Sequence, residues 1–286
     1  MTMSILETIL DRRQLSVRFQ PIFRLQGHEK RVDSVEALIR GPKGTNFEKA
    51  DVLFDYARRE GAEAAIDQSC VSAICAVVKA LPSEVRINVN VHAATLGHNS
   101  GFVGFFLDQV RESTLAPQRF TIEIVEPTPN CNVSELTKSI EHLRAMGARI
   151  ALDDVGLGQS NYRMMLDCHP EYFKLDAYFV RGIGRDAKRR AVVASLVALA
   201  GDLESFVVAE GAASLYDLSE LESMGVEFAQ ADILCPAITL QELLTTGYLE
   251  TPAVATPPYR QSRWPNARTQ TRARPRLKIV GQSFNS

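Results

Sequence analysis

The chain has 286 residues, 45% hydrophobic and 23% charged, with a formal net charge of -2. That composition excludes a disordered or collagen-like polymer, and the lack of an apolar run of about 18 residues argues against an integral membrane segment. Five scattered cysteines without a C-x-x-C pair argue against a disulfide framework or a thiolate zinc site, and the start MTMSILETILDRRQ has no secretory-signal order, so a cytoplasmic chain with reduced thiols is expected.

Residues 1–14 read as a short N-terminal extension. Short β-branched and aromatic runs then predict strands at 17–25 and 34–40. The eight residues QGHEKRVD between them are too few for a helical crossover, so this first pair is expected to be antiparallel. Helical patterns follow at 50–59 and 64–79, then a strand at 85–92, a strand at 119–126, and a helix at 134–146 whose start is assigned to Ser134. Gly147 sits where a left-handed C-terminal residue is wanted, ahead of a strand at 148–154. A strand at 172–175, a helix at 187–200 and a strand at 206–210 come next. Ser214 then caps a helix at 215–224, ended by Gly225 and followed by a strand at 226–230.

Eight strands with interposed helices over residues 15–250 point to an α/β fold, a (β/α)8 or TIM-type barrel modified by an antiparallel first strand. A doubly wound open sheet is the competitor. No glycine-rich dinucleotide loop follows the early strands to favour it. From Pro252 to the end the chain holds seven Arg or Lys, no acid and five of its thirteen prolines. Residues 251–286 therefore read as a basic, disordered tail suited to an anionic surface or a protein partner. Removing that tail leaves 25 basic and 34 acidic side chains, a net of -9, in the body. An acidic body disfavours nucleic acid and suits a site that collects divalent cations.

The chemistry lies on strand faces that should be apolar. Alternation puts Glu123 opposite Ile122 and Ile124, and Asn88 and Asn90 opposite Ile87, Val89 and Val91. Glu36 and Arg40 likewise oppose Val35, Ala37 and Ile39. Asp153 and Asp154 end an aliphatic run, Lys174 interrupts another, and Glu210 and Gln230 close the last two strands. Any one of these carboxylates could cap a helix or bridge to a surface lysine. Gathered at one barrel mouth, they are costly to bury unless cations neutralise them. Oxygen ligands of this kind suit Mg²⁺ or Mn²⁺, and an adjacent Asp-Asp lets one carboxylate bridge two ions. His92 and His169 read as satisfied turn or core histidines and are not assigned to metal.

Taken in order, QPI at 20–22, EALIR at 36–40, VNVHA at 89–93, EIVE at 123–126, LDDVGLG at 152–158, KLD at 174–176, VVAEG at 207–211 and AQ at 229–230 resemble the EAL domains. These are bacterial phosphodiesterases that linearise cyclic-di-GMP to pGpG. The resemblance implies that Glu36, Asn90, Glu123 and Asp153 hold a first metal ion and that Asp153, Asp154 and Glu210 surround a second. It implies that Lys174 orients or activates the attacking water and that Gln230 supports the metal-water shell. Arg40 would pair with a substrate phosphate, Gln20 would line the groove, and Glu126 would anchor the loop after Asp154. It further implies a homodimer, since that loop links dimerisation to activity in the family.

The chain departs from the family pattern at several places. Ala213 stands where AEGxE has its second glutamate, Gly41 where an aromatic follows EALIR, and Val155 where DDFG has phenylalanine. The ending QADILCP, with Ala231 and Cys235, replaces QGYxFGRP. Two function classes follow: a cyclic-di-GMP phosphodiesterase, or a binding module that senses cyclic-di-GMP or contacts a protein partner with negligible turnover. The retained carboxylates favour the enzyme, and Ala213 with the altered loop favours the binder.

Overall fold

The computed structural model describes residues 4–25, 31–98, 101–125, 132–157 and 161–249. Eight strands close into a barrel in sequence order. They are β1 (Ser16–Arg24), β2 (Arg31–Arg40), β3 (Arg86–His92), β4 (Phe120–Val125), β5 (Arg149–Val155), β6 (Tyr172–Leu175), β7 (Phe206–Glu210) and β8 (Phe228–Gln230). β1 runs antiparallel to both β2 and β8, and every other neighbouring pair is parallel. Closure removes the open-sheet alternative, and the short connection after β1 has the expected consequence.

The five predicted helices form as Ala50–Arg59, Glu63–Val78, Val133–Ala145, Ala187–Asp202 and Leu215–Ser223. Ser214 caps the last of these by accepting the Asp217 N–H at 3.1 Å. Ser134 is not a cap. The helix starts one residue earlier, and extended Asn132 accepts the Glu135 N–H at 3.3 Å instead. Gly147 (φ 97°) and Gly225 (φ 90°) take the left-handed conformation that ends their helices. Further helices at Ile5–Leu10, Ala93–His98, Phe102–Glu112, Asn161–Cys168, Ala177–Val180 and Leu240–Thr245 were not predicted. The first is closed by a capping box between Ser4 and Glu7 and seats Ile9 in the core.

Alternation along the strands divides the apolar residues into two clusters. Outward-facing residues such as Ile87, Ile122, Ile124, Phe173 and Ala209 pack beneath the helices. Inward-facing Ile22, Ala151, Tyr172, Phe206, Val208 and Phe228 form a separate plug inside the lower barrel. The rings of Tyr172, Phe206 and Phe228 lie 5.8–5.9 Å apart, two of the three pairs edge-to-face. At the closed end, Arg24 and Arg86 pair with buried Asp33, and Arg149 Nη1 donates to the Tyr172 hydroxyl at 2.6 Å. The plug separates this closed-end ion-pair network from the polar residues above it.

Four of the five cysteines lie among the described residues, and all four are buried free thiols. Glu126, Cys131 and the basic segment 251–286 lie outside the described residues. Among those described, no helix is long and apolar enough to cross a membrane.

Candidate active site at the barrel mouth

One layer above the plug, the inward positions turn polar. Strand register sets Gln20 beside Glu36, Glu36 beside Asn88, Asn90 beside Glu123, and Glu210 beside Gln230. Lys174, on β6, reaches into the centre of this ring and is 1% exposed. Its Nζ lies 2.6 Å from Glu123, 2.7 Å from Glu210, 3.3 Å from Glu36 and 3.5 Å from Asp153.

The remaining donors divide between the two deepest acids. Glu36 accepts from Asn90 Nδ2 at 2.7 Å and from Gln230 Nε2 at 2.6 Å. Glu123, fully buried, accepts from Asn88 Nδ2 at 2.6 Å. Gln230 Nε2 also donates to Gln20 Oε1 at 3.0 Å, and Gln20 Nε2 donates to Asp232 Oδ1 at 3.0 Å. A continuous hydrogen-bonded chain thus runs from β4 through β6, β2 and β8 to β1.

Higher up, β5 ends in a register irregularity between Leu152 and Val155, with Asp154 at φ 51°. Aspartate tolerates that left-handed conformation better than most side chains. The bulge lets two consecutive residues serve the same side of the strand. Ligand oxygens of Asp153, Asp154 and Glu210 all come within 4.8 Å of one another.

The electrostatics are unbalanced. Lys174 faces Glu36, Glu123, Asp153 and Glu210, with Asp154 just beyond. Burial opposes its charge, yet Asp153, Glu123, Glu210 and Glu36 together hold its pKa well above the ordinary lysine value. Burial pushes Glu123 well up, helped by the charges of Glu36 and Asp153, and pushes Glu210 up to about 8 against the pull of Lys174. Glu36 moves the other way. Its burial is outweighed by Lys174 and by the Gln230 and Asn90 donors, which lower its pKa.

The residues present fit a divalent cation. Asp153, Asp154 and Glu210 are hard oxygen donors, and the buried Asn90 Oδ1 atom has no hydrogen-bond partner among the described residues. A buried carbonyl oxygen of that kind is normally satisfied, and a metal ion satisfies it as well as a proton donor does.

Two cavities meet at this cluster and share Leu38 and Asp153. The larger, about 540 Å³, holds Gln20, Glu36, Lys174, Glu210 and Gln230 together with Arg181, Ala213 and Asp232. The other, about 380 Å³, runs from Asn90, Asp153 and Asp154 to Phe54, Arg58 and His92. His92 is buried, with Nδ1 2.8 Å from Asp67, as a satisfied core histidine should be.

The structure brings Gln20, Glu36, Asn90, Glu123, Asp153, Asp154, Lys174, Glu210 and Gln230 to the mouth. Arg40 lines neither cavity, and its Nη1 donates to the Ile39 carbonyl at 3.0 Å. Two cavity residues escaped the sequence reading, Arg181 and Asp232. Asn88, on the polar face with Asn90 but without an assigned role, holds Glu123. Arg181 and Asp232 sit in connections, where no alternation marks them. Gly41, in place of the family's aromatic, is explained locally, since a Cβ there would collide with the Phe47 carbonyl.

The family model described as EAL domain matches residues 3–237. The Escherichia coli "Blue light- and temperature-regulated antirepressor BluF" is 25% identical over 53% of this chain and 38% of its own length. The Pseudomonas aeruginosa "Cyclic di-GMP phosphodiesterase NbdA" is 26% identical over 81% of this chain and 30% of its own. Among solved structures, the calcium and cyclic-di-GMP complex of Klebsiella pneumoniae BlrP1 superposes with a TM-score of 0.69 at 28% identity, covering 79% of this chain and 56% of that one. The chain therefore spans well under half the length of these two curated relatives.

Proposed function

The chain belongs to the EAL domain family, and on that premise we propose that it is a metal-dependent phosphodiesterase that hydrolyses cyclic-di-GMP to linear pGpG. The observation that carries this reading is the convergence of Asp153, Asp154 and Glu210 within 4.8 Å, beside a lysine that already contacts four carboxylates. The phosphodiesterase name of one relative and the nucleotide complex of a structural neighbour support the substrate class. Asp153, Asp154 and Glu210, with Asn90, Glu36 and Glu123 beneath them, would hold two Mg²⁺ or Mn²⁺ ions. When bound, such ions polarise a phosphodiester and lower the pKa of a coordinated water.

The chain's own residues do the rest. Lys174 draws the acids towards their ionised forms and aims them at the mouth, orients the attacking water, and stabilises negative charge developing on the phosphate. Gln230 fixes Glu36, and Gln20 lines the groove and fixes Gln230. The plug of Tyr172, Phe206 and Phe228 closes the barrel beneath these residues and takes no part in the chemistry. Arg40 would reach a substrate phosphate only after leaving the Ile39 carbonyl. Glu126 would anchor the loop after Asp154 and couple it to a homodimer partner. The basic segment 251–286 would tether the protein to an anionic surface, and deleting it should abolish salt-sensitive vesicle binding while leaving turnover intact.

The deciding experiment is incubation of the full chain with cyclic-di-GMP and Mg²⁺ or Mn²⁺, followed by separation of products. Formation of pGpG, abolished by chelator, is expected. Ala213 and the antirepressor name of one relative favour a second reading, a cyclic-di-GMP or protein-binding module. Nucleotide binding by calorimetry without product under either metal would select it.

A further inference from the structure

We propose that Arg181 and Asp232 read the base of the bound nucleotide, forming a guanine-specific pair on the rim of the larger cavity. This rests on the cyclic-di-GMP reading above. Three consecutive connections supply that rim: Arg181 after β6, Ala213 after β7 and Asp232 after β8. The family pattern AEGxE would place a carboxylate at 213, between the other two. Here the middle position is a methyl group, and the carboxylate is supplied from the connection after β8 instead.

Both charged groups are fixed yet unneutralised. Asp232 Oδ1 is held by Gln20 Nε2 at 3.0 Å, and among the described residues no cationic side chain pairs with it. Arg181 donates Nε to the Gly211 carbonyl at 3.3 Å, and its own carbonyl accepts from Arg189 Nη1 at 2.8 Å. Gly211, at φ 63°, packs so closely that a Cβ would lie 2.7 Å from the Ala177 Cβ, which seats the base of the Arg181 segment against β7. Among the described residues no carboxylate pairs with the Arg181 guanidinium, despite the acidic surroundings. A cation and an anion that share a cavity without bridging each other are placed to meet a ligand with both kinds of edge.

Guanine is such a ligand. Its N1–H and N2 amine are adjacent donors that match the two oxygens of a carboxylate, and its O6 and N7 are adjacent acceptors that match a guanidinium fork. Adenine inverts the first pattern by presenting an acceptor at N1, which a carboxylate repels. Hypoxanthine keeps N1–H, O6 and N7 and lacks only the N2 amine, so it isolates the Asp232 contact.

The test is calorimetric titration of the full chain with cyclic-di-GMP and cyclic-di-IMP in Ca²⁺ buffer. The wild type should prefer cyclic-di-GMP by about tenfold or more. Asp232→Ala, and independently Asp232→Asn, should bring the ratio of the two affinities close to one. Arg181→Lys should weaken both nucleotides together and leave the ratio at its wild-type value. A wild-type ratio near one, or a ratio unmoved by both Asp232 variants, overturns the base-reading pair while cyclic-di-GMP binding stands. Failure of the wild type to bind either nucleotide overturns the cyclic-di-GMP reading together with it.

Discussion

The two ends of the barrel interior solve the same problem, buried charge, in opposite ways. At the closed end Asp33 pairs with Arg24 and Arg86, and aromatic rings cover the guanidinium groups, with Arg24 4.9 Å from the Phe228 centroid and Arg86 5.8 Å from that of Tyr172. Cations outnumber the acid, Arg149 donates separately to the Tyr172 hydroxyl, and the charge is spent inside the protein. At the open end the ratio is inverted, with one lysine among Glu36, Glu123, Asp153 and Glu210 and buried amide oxygens of Asn88, Asn90 and Gln230 lacking partners among the described residues. Fold-level burial explains the first arrangement. The second leaves a polar network only half satisfied, which protons on Glu123 and Glu210 relieve and which a bound cation would complete. The contrast teaches that net charge per end, rather than the presence of ion pairs, separates structure from chemistry here.

The largest effect should come from removing the lysine at the centre of the mouth. Lys174→Met should destabilise the metal-free protein by about 3–5 kcal/mol, as breaking a buried pair does, and Mn²⁺ should restore part of the loss. Urea unfolding with and without metal measures both, and a metal-independent loss would mean that the open end is as self-contained as the closed one. Phe228→Ala should cost about 3–5 kcal/mol by opening a cavity in the plug. Turnover per folded molecule should be unaffected, and a matching fall in turnover would show that the two ends are not separable.

Asp153→Asn should lower turnover at least about a hundredfold, near 2.7 kcal/mol of transition-state stabilisation. Its melting temperature without metal should equal or exceed that of the wild type, since one of several crowded like charges is gone. Retention of full turnover would remove Asp153 from the metal site.

The smallest effect is on pH dependence. The Glu210 carboxyl, pushed up to about 8, keeps its proton in the folded chain across a range where the unfolded chain has released it. Its contribution to stability is therefore complete below about 4.5 and is lost as pH rises towards 8. Glu123 acts in the same direction, whereas lowered Glu36 contributes stability that is lost only as pH falls through its depressed value. Metal-free melting temperatures should thus fall between pH 5 and about 8, and saturating Mn²⁺ should flatten the slope. A flat metal-free profile would show that the open end carries no excess of charge.

Much of this contrast was legible in the residues. Glu36, Glu123 and Lys174 each interrupt an aliphatic alternation, and a strand's period of two leaves only one direction for them to point. Gly147 and Gly225 announced their helix ends for an equally local reason. What escaped lacks a period. Ser134 and Asn132 both suit an N-cap, and only the helix start decides between them. Arg40 has the right parity, but its long side chain folds onto the Ile39 carbonyl, which no strand pattern encodes. Arg181 and Asp232 lie in connections whose paths are set by packing between distant elements, as the Gly211 contact with Ala177 illustrates.

The reversal of β1 has a mechanical corollary. In an all-parallel barrel each strand begins at the sealed floor, far from the chemistry. Here Ser16 pairs with Arg40 at the rim, and Arg24 meets Arg31 below. The chain is therefore handed into the barrel at the working face, four residues ahead of Gln20. The helix just upstream is latched to the helix Glu63–Val78 through the Leu10 carbonyl and Ser69 Oγ at 2.7 Å. A pull on that helix is thus felt first at the rim and at the amide chain from Gln20 to Glu36, while the aromatic floor stays out of the load path.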